Sequence, residues 1–90
     1  MSPVYLEFTY RDGKPFAGYL YLPRRADDAA ERTEEAEAGL ILDFAADGRP
    51  IGIEITSPSV TKLEAINRVL KSLGLDSVTD RDLAPLTFAA

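Results

Sequence analysis

Residues 39–56 read GLILDFAADGRPIGIEIT, and the fold is decided here. Asp47-Gly48 is the signal of a two-residue hairpin turn, because both central residues of a type I′ turn take positive φ. Counting outward from it pairs Phe44 with Ile51, Leu42 with Ile53 and Leu40 with Ile55, all on one side of the ribbon. The other side pairs Asp43 with Gly52 and Ile41 with Glu54. A slip of one residue would set the apolar side of one strand against the polar side of the other, so the register is well specified. Pro50 has no N–H to give to a second neighbour, and this predicts that the return strand lies at a sheet edge near residue 50.

Upstream, Val4 to Tyr10 alternates as a strand, Arg11-Asp12-Gly13 turns the chain, and Phe16 to Leu22 returns. A two-residue Asp12-Gly13 loop would mix the faces of the two strands. A three-residue loop with Gly13 left-handed sets Phe8 opposite Phe16 and Val4 opposite Leu20, keeping one apolar face, and is the preferred reading. Downstream, Ser57-Pro58 marks a boundary, with Ser57 or Ser59 as the expected N-cap and Thr61 and Glu64 at capping-box spacing. Leu63, Ile66, Leu70 and Leu73 repeat at helical spacing, and Gly74 with Leu75 supplies a C-terminal stop. Residues 24–38 have helix propensity but no apolar stripe, so they are assigned as an acidic loop or an edge strand.

The expectation is a single domain over 1–90. It has strands at about 4–10, 16–22, 40–46 and 49–56, a helix at about 59–73 and a short helical turn at about 79–84. The apolar tail after Pro85 has no assigned role. One sheet face collects Val4, Leu6, Phe8, Phe16, Leu20, Leu22, Leu40, Leu42, Phe44, Ile51, Ile53 and Ile55, and the helix stripe is its cover. The class is α+β, in two layers: an antiparallel β-meander with one main C-terminal helix packed on one face.

The run RTEEAEAGLILDFAADGRPIGIEI, Arg32 to Ile55, resembles the small bacterial family catalogued as domain of unknown function 2283. Asp43, Phe44, Asp47, Gly48, Gly52, Ile53, Glu54 and Ile55 stand at the places of its D-[YF]-x-x-D-G-x-x-x-G-I-E-I pattern. The segment from Ala17 to Leu22 matches the family's earlier strand only loosely. The resemblance implies a fold and, by association, antitoxin-type pairing with another protein. It implies no activity and no catalytic residue.

Composition excludes much. The chain has no Cys, which removes disulfides, thiolate metal sites and cysteine nucleophiles. It has no His, which removes the commonest general base and neutral metal ligand. The net charge is −5, and Asp27, Asp28, Glu31, Glu34, Glu35 and Glu37 against Arg32 account for it. An acidic chain is a poor candidate for direct nucleic-acid binding. No apolar run reaches membrane-spanning length and the N-terminus lacks a signal peptide, so the expected location is the cytoplasm.

The second sheet face is then expected to stay open, carrying Tyr5, Glu7, Thr9, Tyr19, Tyr21, Ile41, Asp43, Glu54 and Thr56. Tyr5, Tyr19, Tyr21 and Ile41 are the interface candidates, since an aromatic centre on an open sheet suits a protein partner or a second copy, although Tyr is also an ordinary strand residue on a half-wet surface. In that arrangement Glu7, Asp43 and Glu54 fall near the rim, where their charge stays hydrated; at the centre, their repulsion would oppose self-pairing and favour a basic partner. The alternative makes Glu7, Asp43 and Glu54 a small-ligand or metal site. No nucleophile has a base beside it and no Gly-rich phosphate loop is present, so neither a catalytic residue nor a cofactor is assigned. The expected role is a protein-interaction module, as a homodimer or with a separate partner.

Overall fold

The two hairpins fold around turns of different kinds. In the computed structural model, which describes residues 5–58 and 60–79, the chain runs β1 (Tyr5–Arg11), β2 (Lys14–Tyr21), β3 (Arg32–Glu37), β4 (Leu40–Phe44), β5 (Pro50–Ile55) and α1 (Leu63–Ser72). Val4, Ser59, the apolar tail and, apart from Thr79, the turn expected at about 79–84 lie outside the described residues. Between β1 and β2, Asp12 and Gly13 both have positive φ (53° and 77°), the type I′ geometry that the sequence reading set aside. Between β4 and β5 only Gly48 is left-handed (φ 90°), its N–H donates to Ala45 O at 2.9 Å, and the Ala45 N–H donates to Arg49 O. That is a three-residue loop in place of the expected type I′ turn.

A bulge beside each turn resets the register. In the second hairpin Phe44 pairs with Pro50 while Asp43 pairs with Gly52, so Ile51 is the extra residue and the expected Phe44–Ile51 pair is absent. Leu40↔Ile55, Ile41↔Glu54, Leu42↔Ile53 and Asp43↔Gly52 stand as counted, and Phe44 and Ile51 are both buried. In the first hairpin Tyr10 pairs with Pro15 but Thr9 with Ala17, leaving Phe16 as the extra residue. Phe8 therefore faces Gly18 and Leu6 faces Leu20, in place of the expected Phe8–Phe16 and Val4–Leu20 pairs. The bulge also takes Phe16 out of the expected core. It is 47% exposed, with the Arg11 guanidinium 4.0 Å from its ring centroid.

All pairings are antiparallel, in the order β1-β2-β5-β4-β3. This corrects the meander: β2 joins β5, and residues 22–31 carry the chain to the far edge, where β3 pairs with β4. β5 is thus a central strand over residues 52–55 and has an open side only near residue 50. Pro50 is tolerated because it is the first residue of β5, beyond the Tyr21↔Gly52 pair that ends the β2 ladder. β3 buries almost nothing and so has no apolar alternation. It is held by its ladder to β4, by the Arg32 guanidinium 4.1 Å from the Phe44 ring centroid, and by Glu37, whose carboxylate accepts two hydrogen bonds from Arg68 of α1 at 2.9 Å each.

The core joins Leu6, Leu20, Leu22, Leu40, Leu42, Phe44, Ile53 and Ile55 of the sheet side to Ile66, Val69 and Leu70 of α1 and to Val78. The helix begins later than the expected 59, at Leu63, and its N-cap, Lys62, makes no side-chain cap. Thr61 cannot close the expected capping box because its hydroxyl donates back to Ser57 O at 2.8 Å. At the other end the Gly74 N–H donates to Lys71 O and the Leu75 N–H to Leu70 O, the paired bonds of a Schellman stop. Beyond it, the Asn67 amide donates to Val78 O at 2.9 Å and accepts from the Val78 N–H at 2.8 Å, holding the following segment to the helix.

The acidic segment is likewise tied down. Asp28 takes two hydrogen bonds from the Arg49 guanidinium at 2.8 and 3.1 Å, and Glu31 N–H donates to Phe44 O at 2.8 Å. Arg49 also binds Asp47 at 2.7 Å, so the tip of the second hairpin is clasped to the crossover. Among the described residues, no helix is long and apolar enough to cross a membrane.

Candidate functional site

The register aligns the second sheet face in two cross-strand rows. One runs Glu7, Tyr19, Glu54, Ile41, Glu35 across β1, β2, β5, β4 and β3; the other runs Tyr5, Tyr21, Gly52, Asp43, Thr33. Tyr19, Tyr21, Ile41 and Asp43 are half-buried, while Glu7, Glu35 and Glu54 are exposed. Tyr5 holds the register position opposite Tyr21.

Tyr19 organises this face. Its ring crosses β5 over Gly52 and its hydroxyl donates to Asp43 Oδ2 on β4 at 2.7 Å. A Cβ at residue 52 would overlap the ring and hydroxyl of Tyr19, so glycine is needed there for space and not for backbone freedom. The Tyr21 ring meets the Tyr19 ring edge-on at 4.7 Å between centroids, and its hydroxyl donates to Glu7 Oε1 at 3.2 Å. The Arg24 guanidinium stands 5.6 Å from the Tyr21 centroid. Burial, then the Asp43 carboxylate, pushes the Tyr19 hydroxyl well above its ordinary value, with Arg24 pulling partly the other way. Burial and then Glu7 raise Tyr21. Both hydroxyls thus stay protonated and act as donors at neutral pH.

The carboxylates do not converge. Asp43 and Glu7 each accept a tyrosine hydroxyl, and Glu54 lies on the central strand between Tyr19 and Ile41. Among the described residues no three acidic side chains are grouped to hold a metal ion. A cleft of about 510 Å³ beside the start of α1, lined by Leu40, Thr56, Val60, Lys62 and Arg68 among others, includes none of the candidate residues. The sequence reading missed three participants: Gly52 as the bed for Tyr19, Arg24 beside the tyrosines, and Glu35, brought onto this face by β3. Gly52 was visible as a motif position, but its partner lies on a strand far away in sequence.

The fold and this face define a small α+β chain: a five-stranded antiparallel sheet and one helix, with a tyrosine–carboxylate face. Residues 17–58, from β2 through β5, match the family model described as Protein of unknown function (DUF2283), and over that stretch the chain resembles the family. Gly52 and Asp43, two positions of the shared pattern, are the pair bridged by Tyr19. No curated protein matches the chain. No solved structure matches it either.

Proposed function

We propose that the chain is a small protein-interaction module whose open sheet face receives a basic surface of a protein partner. The observation that carries this reading is Glu54. It sits on the central strand and is exposed, and among the described residues its side chain makes no hydrogen bond or ion pair. It stands between Tyr19 and Ile41, with Glu35 in the same row. The carboxylates are therefore not confined to the rim, which is the case that the sequence reading tied to a basic partner. Stacking two such faces flat on each other would bring unpaired carboxylates together at the centre, which opposes association. A partner bearing Lys or Arg beside apolar or aromatic side chains meets both parts of the face, and the basic toxin partner of an antitoxin-like chain has this character. The tyrosines suit such contact because they offer large, stiff surface at small entropic cost.

A synthetic peptide alternating lysine and phenylalanine serves as the probe, followed by backbone amide chemical shifts. The largest changes should fall on Tyr19, Tyr21, Ile41 and Glu54, weaken with added salt, and shrink in E54K. Shifts confined to the acidic crossover and β3, or no shifts, would overturn the reading.

A further inference from the structure

The first hairpin runs on past the sheet. β2 pairs with β5 only through Gly18–Tyr21, while its pairing with β1 continues to Arg11↔Lys14. Residues 9–17 thus form a two-stranded arm with no third strand beside it among the described residues. The arm carries Tyr10 and Phe16, two of the three large hydrophobic residues that are exposed among those described. Ribbons of this kind gain little from their own ladder, and large apolar side chains on them are stabilised by contact with something else.

The arm also departs from the rest of the chain in charge. It holds Arg11 and Lys14 against Asp12, a net +1, so the remaining residues carry −6 of the total −5. Among the described residues neither Arg11 nor Lys14 enters an ion pair; Arg11 lies over the Phe16 ring instead. A cationic and aromatic tip is the complement of a face whose exposed groups are Glu54, Glu35, Glu7 and tyrosine.

We propose that the arm of one copy lies on the open face of a second copy, and that the exchange is reciprocal. This rests on reading the open face as a protein-binding surface, and it names the occupant as the chain's own basic extremity. Reciprocity follows from size. A stable interface takes roughly 20–30 residues a side, more than the arm alone can offer. An arm given and an arm received bring each copy near that number, and two-fold exchange closes the assembly. Arm-on-face docking also relieves the clash of flat stacking, because Glu54 then meets Arg11 or Lys14 and not its own copy.

The test is charge reversal read by sedimentation equilibrium at micromolar concentration. The native chain should weigh twice its 9.8 kDa. The arm variant R11E/K14E and the face variant E35K/E54K, all four at exposed positions, should each halve that mass while keeping the native circular dichroism. An equimolar mixture of the two should restore the dimer, since each reversed arm then meets an oppositely charged face. A monomeric native chain, an arm variant that stays dimeric, or a mixture that stays monomeric would overturn the proposal. If the arm variant stays dimeric and the face variant does not, or if the native chain is monomeric yet the probe peptide shifts the face, the open face stands and the arm falls. If both variants stay dimeric and the probe leaves the face unshifted, both readings fall.

Discussion

Adding one methyl group at residue 52 should disturb the whole open face. Gly52 has no strained backbone, so Ala would normally be neutral or helpful there, worth about 0.5–1 kcal/mol in a strand interior. Here the new Cβ would occupy the space of the Tyr19 ring and hydroxyl. The ring must swing away, and its 2.7 Å hydrogen bond to the Asp43 carboxylate is lost. A hydrogen bond to a charged group contributes about 1.5–3 kcal/mol. Setting this against the glycine gain leaves Gly52→Ala destabilising by about 1–2 kcal/mol. In a chain of this size each kcal/mol lowers Tm by roughly 4–8 °C. Urea unfolding followed by circular dichroism measures the change. In a Tyr19→Ala background the same substitution should become neutral or stabilising, since nothing then occupies the site, and the difference between the two backgrounds is the coupling between the residues. A midpoint that holds or rises on Gly52→Ala with Tyr19 present would refute the reasoning.

Leu42→Ala or Ile53→Ala should cost about 2–5 kcal/mol, because both are buried on the core face; a denaturant midpoint that barely moves would show that the face is wrongly identified. Alkali should weaken the fold. Tyr19 and Tyr21 hold their protons more tightly folded than unfolded, so their contribution is present below the ordinary value of 10.0 and is lost as pH rises through it toward the higher folded values. Tyr19→Phe should flatten that decline, and an unchanged slope would count against the Tyr19–Asp43 bond. Acid acts on the clasp. The Arg49 hydrogen bonds hold Asp28 down at about 2, so its contribution is present above 3.8 and fades as pH falls toward 2, a dependence that Asp28→Asn should remove in an acid titration of stability.

The sheet's apolar face was legible because alternation on either side of Asp47-Gly48 leaves one workable register, and four pairs of that hairpin stand as counted. The turn types were not legible. In each hairpin a bulge, at Ile51 and at Phe16, absorbs one residue, so one loop length cannot be told from another by matching faces. β3 was only half visible because a strand that buries almost nothing has no hydropathy signature; ladder bonds and the ion pair from Arg68 hold it. The helix stripe and its Gly74 stop were plain, whereas its start was misjudged because Thr61 bonds backward to Ser57. On the open face, the tyrosines and carboxylates could be named from alternation alone. Their arrangement could not, because it depends on β5 lying between β2 and β4, and no local pattern encodes that order. With β5 central, Glu54 moves from the expected rim to the middle and Gly52 comes under Tyr19.

Hydroxyl-radical footprinting over a concentration series reads out directly whether the open face is where this chain meets protein. In dilute solution Tyr21 and Ile41 should be oxidised readily and the better-buried Tyr19 less. As concentration rises, all three should become protected together, and Tyr10 and Phe16 of the arm with them. Oxidation of Tyr21 and Ile41 that stays constant while the chain associates, or that never changes at any concentration or with the lysine–phenylalanine peptide added, would contradict the account.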